Sequence, residues 1–248
     1  MIKHRRGFSR QPYPPGFKPQ AVAIIPAAGA GVRMGIDQPK QYLDLNGRPL
    51  LSVTLERVQK CPSVAEVILV AQKEDLDYCR RRVVEPLDIK KNVQIVAGGK
   101  RRQDSVLKGI EASGGNYDLV VIHDGVRPLV TTSLIEDVIF AAMHERAVVT
   151  ALPCKETVKE VGDDLMVERT YNRGFVWLVQ TPQVFQYKDI VYAHRKALEE
   201  GWDDVTDDAS LLEKIGIPVR VMEGREDNIK VTTPHDLELA RYLLERQS

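Results

Sequence analysis

Apolar runs of strand length alternate along this chain with amphipathic stretches of helical period, the order that βαβ units and a mostly parallel sheet require. The pattern predicts strands over 21–26, 66–71, 93–97, 118–123 and 147–152. Helices are predicted between them, near 49–60, 73–84, 103–112 and 132–145. The last opens on Thr131-Thr132-Ser133, good N-cap chemistry, and repeats Leu134, Ile135, Val138, Ile139 and Ala142 at helical spacing. The expected class is α/β, a Rossmann-like and mostly parallel sheet with helices on both faces.

From about 153 to 172 the period changes. Lys155 to Val161 and Leu165 to Tyr171 read as two polar-alternating strands around a Gly162-Asp163-Asp164 turn. So polar a hairpin has little face to bury in its own core. It is read as a protruding β-arm that packs on another subunit, with a flexible flap as the alternative. Beyond it the pattern predicts a short strand at 175–180, then Thr181-Pro182-Gln183 and helices at 187–200 and 206–215. The second of these is capped by Thr206-Asp207-Asp208; a strand at 217–222 and a final helix from 234 follow. Residues 1–20, with Pro12, Pro14, Pro15 and Pro19, are read as a flexible N-terminal tail, and 21–248 as a single domain.

Composition narrows the function classes. The 248 residues are 43% hydrophobic, sufficient for a full core. Lys+Arg and Asp+Glu stand at 35 each, and this balance speaks against a general nucleic-acid or membrane-surface binder. Cys61, Cys79 and Cys154 are odd in number, widely spaced and without a C-x-x-C pair. They read as reduced thiols of a cytoplasmic protein, not a disulfide framework or metal site. No apolar run approaches the roughly 18 residues of a membrane span, and residues 1–19 lack the apolar stretch of a secretory signal.

The candidate chemistry gathers where strands end. Behind the first strand comes Pro26-Ala27-Ala28-Gly29-Ala30-Gly31-Val32-Arg33-Met34-Gly35, then Pro39-Lys40-Gln41. Small residues let the backbone approach a ligand closely, and Arg33 and Lys40 bring cations to the same place, a natural cradle for nucleotide phosphates. The bland alternative is a tight turn with two solvated basic side chains. No Lys-Ser or Lys-Thr pair makes this a P-loop, and Gly29, Gly31 and Gly35 miss the G-x-G-x-x-G spacing of dinucleotide binders by one residue.

The fourth strand ends in His123-Asp124-Gly125-Val126-Arg127-Pro128. Asp124 at that rim suits Mg²⁺, which takes one or two carboxylates plus substrate phosphates, or else a simple loop cap. His123 reads as a packed, hydrogen-bonded strand residue, and Arg127 as either a substrate contact or an ion-pair partner. Gly98-Gly99-Lys100-Arg101-Arg102-Gln103-Asp104-Ser105 opens a helix and suits a phosphate, ribose or base edge. Lys100 and Arg101 read as a solvated basic face, whereas the Ser105 hydroxyl stands on the first turn. Lys230 points back to the rim or else lies on the surface, and Arg173, at the foot of the arm, is equally open. No Ser-His-Asp order, HExxH or Cys-His pairing supports covalent hydrolysis. Cations and glycines for phosphates, plus one carboxylate for a metal, form the toolkit of phosphoryl or nucleotidyl transfer.

The loop from Pro26 to Met34 with Pro39-Lys40-Gln41 resembles the signature of sugar-phosphate nucleotidylyltransferases. Gly98-Gly99, Arg102, Asp104-Ser105, His123-Asp124-Gly125, Arg127-Pro128, Thr181-Pro182-Gln183, Thr206 to Ser210 and Asn228 to Thr232 join it in order. Together they are similar to the 2-C-methyl-D-erythritol 4-phosphate cytidylyltransferase family, from about 21 to 245. The resemblance implies that CTP and methylerythritol phosphate, with Mg²⁺ or another divalent metal, give CDP-methylerythritol and pyrophosphate in non-mevalonate isoprenoid biosynthesis. It implies that Arg33 and Lys40 stabilise the transition state, and that Asp124 holds the metal beside CTP. Ala27, Ala28, Gly29, Gly31, Gly99 and Ser105 would hold CTP; Arg173 and Lys230 would position the acceptor, with Arg127 and Thr157 lining its pocket. It further implies a homodimer in which the arm, with Thr157 and Arg173, serves the neighbour's site. Lys100 stands where relatives often carry an acidic residue, and Val126 where alanine is usual. A ribitol-5-phosphate cytidylyltransferase shares most of these motifs, and a non-catalytic nucleotide-binding protein would not need Arg33, Lys40 and Asp124 together.

Overall fold

The computed structural model describes residues 19–29, 38–203 and 205–246. Within them the chain forms β1 (Ala21–Pro26), β2 (Asp44–Leu45), β3 (Arg48–Pro49), α1 (Leu50–Gln59), β4 (Val64–Ala71) and α2 (Leu76–Tyr78). Next come β5 (Asn92–Ala97), α3 (Arg102–Ala112), β6 (Leu119–Ile122), α4 (Thr132–Ala142), β7 (Ala147–Pro153), β8 (Lys159–Val161) and β9 (Val167–Thr170). β10 (Trp177–Gln186), α5 (Tyr187–Glu200), α6 (Asp208–Lys214), β11 (Arg220–Glu223) and α7 (Pro234–Glu245) complete the order.

Seven strands make the central sheet in the order β11-β7-β10-β6-β1-β4-β5. All run parallel except β10, which is antiparallel to both β6 and β7. From β1 the chain first steps outward to β4 and β5, then crosses back to place β6 on the other side. That reversal opens a crevice at the carboxyl ends of β1 and β6, where ligands of such sheets bind.

Alternation along β1 explains the two layers. Ala21, Ala23 and Ile25 pack with α1 and α4 on one face, while Val22 and Ile24 pack with α3, α5 and α6 on the other. All five are fully buried. Each such side chain contributes about 1.5–3 kcal/mol of transfer free energy for the larger types. A third cluster, with Leu45, Leu50, Leu129, Val231 and Leu237, ties α7 beneath the rim.

Several predictions shift in the structure: the strand expected at 217–222 is β11 (Arg220–Glu223), and the helix expected near 132–145 ends at Ala142. The stretch 73–84 is helical but irregular, a 3₁₀ turn, then α2, then a π turn over Cys79–Val84. The strand expected at 175–180 runs on as β10, so Thr181-Pro182-Gln183 lies within a strand and not after one. Pro182 lacks an N–H, and the register against β7 slips between Val179 and Gln183 to accommodate it. The small β2–β3 hairpin was not expected, although Asn46 and Gly47, at φ 54° and 83°, carry a readable two-residue hairpin signature.

The polar hairpin is present as β8 paired with β9, a two-stranded sheet of its own. Every residue of both strands is exposed, as the alternation required. Of residues 1–20, read as a tail, 1–18 lie outside the described residues, whereas Pro19 is buried and Gln20 N donates to Asp118 Oδ2 at 3.2 Å. Among the described residues, no helix is long and apolar enough to cross a membrane.

Candidate active site

The glycine loop leaves β1 with its first carbonyls already satisfied. The Gln41 amide donates to Ala27 O at 2.8 Å and the Gln72 amide to Ala28 O at 3.1 Å. The Gln41 bond also fastens the 3₁₀ turn Lys40–Tyr42 beside the loop, which brings Lys40 to the crevice. A cavity of about 160 Å³ opens there, bordered by Ala27, Ala28, Gly29, Lys40, Gly99 and Asp124, with Ser105 and Lys230 at its wall. Arg33 and Gly31 lie outside the described residues.

Gly98 and Gly99 are required by close packing. A Cβ on Gly98 would stand 2.7 Å from Ala28 Cβ, and one on Gly99 would stand 2.4 Å from Asp104 Cβ. The Ser105 hydroxyl accepts from Gly99 N at 3.0 Å and donates to Arg101 O at 3.1 Å. It is thus committed to shaping the turn, and its proton is not available to a ligand. Arg101 is held by Asp104 and Asp203, and both it and Lys100 border the cavity.

Asp124 is the centre of charge. Only 7% exposed, it stands 3.0 Å from Lys230 Nζ, 3.4 Å from Arg127 Nε and 3.7 Å from Arg102 Nε. Burial alone would raise its pKa, but the charges of Lys230, Arg102 and Arg127 outweigh burial and hold it well below the carboxylate range. Its backbone N–H donates to Thr181 Oγ1 at 3.0 Å. That hydroxyl donates in turn to His123 Nδ1 at 3.0 Å, and His123 Nε2 donates to Arg127 O at 3.2 Å. A carbonyl can only accept, so the chain of bonds fixes His123 as the Nε2–H tautomer. Burial lowers the His123 pKa to about 4, so the ring is neutral, and at 0% exposure it is no base for a substrate.

Lys230 reaches the rim because its segment is stitched across it. Asn228 Nδ2 donates to Thr181 O at 2.8 Å, Arg127 Nη1 donates to Asn228 O at 2.7 Å, and Val231 N donates to Val126 O at 2.9 Å. Arg127 is therefore an ion-pair partner of Asp124, and it also lines a second cavity of about 450 Å³. Thr181, Gln183, Asp207 and Lys230 share that wall. Arg102, Asp124 and Lys230 belong to both cavities and form the border between them.

Arg102 is the functional residue to which sequence reading gave no role. The run Lys100-Arg101-Arg102 does not say which cation turns inward; its Nη1 lies 2.6 Å from the buried Asp208. Thr157 and Arg173 are not brought to either cavity of their own chain. Both are exposed on the arm and its foot, where Arg173 Nη1 donates to Lys155 O at 2.7 Å.

Among the described residues, no group of three or more His, Cys, Asp or Glu side chains converges on a metal position. One carboxylate ringed by cations fits a hard divalent ion only when phosphate oxygens and water supply the remaining ligands, the habit of Mg²⁺.

A sequence model of the 2-C-methyl-D-erythritol 4-phosphate cytidylyltransferase family matches residues 21–246. The chain is 45% identical over 231 residues to the protein of that name from Syntrophus aciditrophicus, covering 93% of this chain and 98% of the relative. Its fold is similar to the crystal structure of 4-diphosphocytidyl-2C-methyl-D-erythritol synthase from Anaerococcus prevotii. That likeness has a TM-score of 0.80 at 36% identity and covers 92% of this chain and 99% of that one. The cytidylyltransferase of Thermus thermophilus gives a TM-score of 0.73 at 31% identity, with 92% and 100% covered.

Proposed function

The chain belongs to the 2-C-methyl-D-erythritol 4-phosphate cytidylyltransferase family and is a nucleotidyltransferase; from that premise we propose how its two cavities divide the reaction. CTP takes the glycine-loop cavity and methylerythritol phosphate takes the second, and the products are CDP-methylerythritol and pyrophosphate. The observation that carries this reading is the border itself. One buried carboxylate and two cations, Arg102 and Lys230, stand where the two phosphates must meet.

An oxygen of the acceptor phosphate attacks the α-phosphorus in line, and the bond to the departing pyrophosphate breaks. The attacking oxygen is already anionic, so the step needs no general base, in keeping with a buried, neutral His123. The work left to the protein is positioning and charge. Lys40 lies on the nucleotide side, Arg127 on the acceptor side, and Arg102 and Lys230 between. Arg33 keeps the role that the family resemblance gives it. Mg²⁺ or a similar ion, held at Asp124, would neutralise phosphate oxygens there.

Homodimer formation through the arm is part of the proposal. Leu165, Met166, Val167 and Phe175 are 81%, 67%, 56% and 86% exposed, large apolar side chains along the arm suited to burial against a second copy. That contact would place Thr157 and Arg173 at the neighbour's acceptor cavity. Free Cys61, Cys79 and Cys154 suit a reducing compartment, and we place the enzyme in the cytoplasm.

The test is Mg²⁺-dependent pyrophosphate release from CTP with methylerythritol phosphate or ribitol 5-phosphate in parallel. Preference for methylerythritol phosphate is expected. Preference for ribitol phosphate would overturn the acceptor assignment, and silence with both would overturn the division of the cavities.

A further inference from the structure

Two consecutive carboxylates begin α6, yet a helix cap requires one. Asp207 is the cap: its side chain accepts from Ser210 N at 3.1 Å and from the Gln183 amide at 2.8 Å. Asp208 turns inward and is 1% exposed. A carboxylate buried to that degree costs several kcal/mol unless a counter-charge meets it. Two groups meet this one. Arg102 Nη1 from α3 stands 2.6 Å from Oδ2, and His194 Nε2 from α5 stands 3.3 Å from Oδ1. His194 is fully buried, and neither ring nitrogen completes a well-formed hydrogen bond among the described residues. Its contact with Asp208 is therefore its polar anchor.

The consequence falls on Arg102. The tight bond to Asp208 grips one end of the guanidinium, while Nε is left 3.7 Å from Asp124 Oδ1, too far for a hydrogen bond. Without Asp208, Coulomb attraction would draw Arg102 onto Asp124 and close that gap. We propose that Asp208, backed by His194, is a positioning residue that holds the Arg102 guanidinium at the border of the two cavities and off Asp124. A cation then stands ready where negative charge gathers in transfer, and one Asp124 oxygen stays open to a ligand. This rests on the proposed reading of the two cavities. Asp208 touches no substrate and acts through Arg102.

The test compares wild type, Asp208→Asn, Arg102→Gln and the double variant by pyrophosphate release, CTP titration calorimetry and thermal melting. Asn keeps the shape of the side chain but removes its charge. We expect Asp208→Asn to lower kcat about 10- to 100-fold, with both KM values and CTP affinity within about threefold of wild type. In the Arg102→Gln background the same change should lower kcat less than about twofold further, the non-additivity of groups acting as a unit. A lower melting temperature is expected on either view, since the change leaves Arg102 without its counter-charge. A purely structural Asp208 would leave kcat per folded molecule unchanged or lower it equally in both backgrounds, and either result overturns the proposal. If Asp208→Asn does not fold, His194→Gln replaces it. A several-fold fall in kcat confined to the Arg102 background is then expected, and an unchanged kcat overturns the idea. A silent wild type would overturn the functional reading and this inference with it, whereas an active wild type with an indifferent variant overturns this inference alone.

Discussion

Acidification offers a test of the bond chain beneath Asp124. His123 is held neutral by complete burial, with its pKa lowered from 6.5 to about 4. In the unfolded chain the ring takes a proton near 6.5; in the folded protein it does not until about 4. Stability should therefore decline as pH falls from about 6.5 to about 4 and lose nothing more from this group below that. A gap of about 2.5 pH units at about 1.4 kcal/mol each gives about 3 kcal/mol at full loss, and roughly 2 kcal/mol by about pH 5. Against the roughly 5–15 kcal/mol typical of a folded domain, about 2 kcal/mol is readily measured. The assay is urea unfolding of wild type and His123→Gln across this range, with the variant's amide still able to donate to Arg127 O. The other histidines are common to both proteins and cancel in the difference. Asp124 and Asp208, whose pKa values lie below the ordinary 3.8, lose their contributions beneath the window. If the two stability curves stay parallel from about pH 7 to about pH 5, the assignment of His123 as the neutral link is refuted.

Further outcomes follow from the same geometry. Lys40→Ala should melt as wild type yet lose at least about 100-fold in kcat, the scale of one lost charge-stabilising group; near-normal turnover would contradict its place at the nucleotide side. Gly99→Ala forces a Cβ against Asp104, so the turn must open, and CTP binding by calorimetry should weaken at least about tenfold while the fold persists. Arg173→Ala should raise KM for methylerythritol phosphate and spare CTP affinity; a collapse of CTP binding would show that Arg173 is misplaced. Leu165→Glu with Met166→Lys should shift sedimentation from dimer to monomer and lower activity with it, whereas an unchanged dimer would locate the interface elsewhere.

The sheet was legible because its signal is local and redundant. β1, β4, β6 and β7 are apolar runs whose burial on both faces leaves no other reading, and their ends, like those of the half-buried edge strand β5, lie within about two residues of the prediction. The arm was legible for the opposite reason, since alternating polar residues cannot enter a core. What escaped depends on geometry between distant segments. Nothing in Lys100-Arg101-Arg102 distinguishes the cation that meets Asp208 from the two that do not, because the partner lies 106 residues away. Ser105 was legible as a site residue but not as one already committed to Gly99 and Arg101. The course of β10 through Pro182 was missed because proline punctuates sequence more strongly than it interrupts an accommodated strand.

That strand has a mechanical meaning. β10 begins at Trp177, next to the arm's foot, and four residues later presents Thr181, the hydroxyl that carries the Asp124 backbone and the His123 ring. One strand thus runs from the arm's foot to Thr181, held by β7 over Trp177–Val179 and by both β6 and β7 over Gln183–Phe185. A load applied to the arm crosses only the short 3₁₀ turn Arg173–Phe175 before it enters the strand whose Thr181 hydroxyl carries the Asp124 backbone, so a grip on the arm from outside would brace the reaction centre.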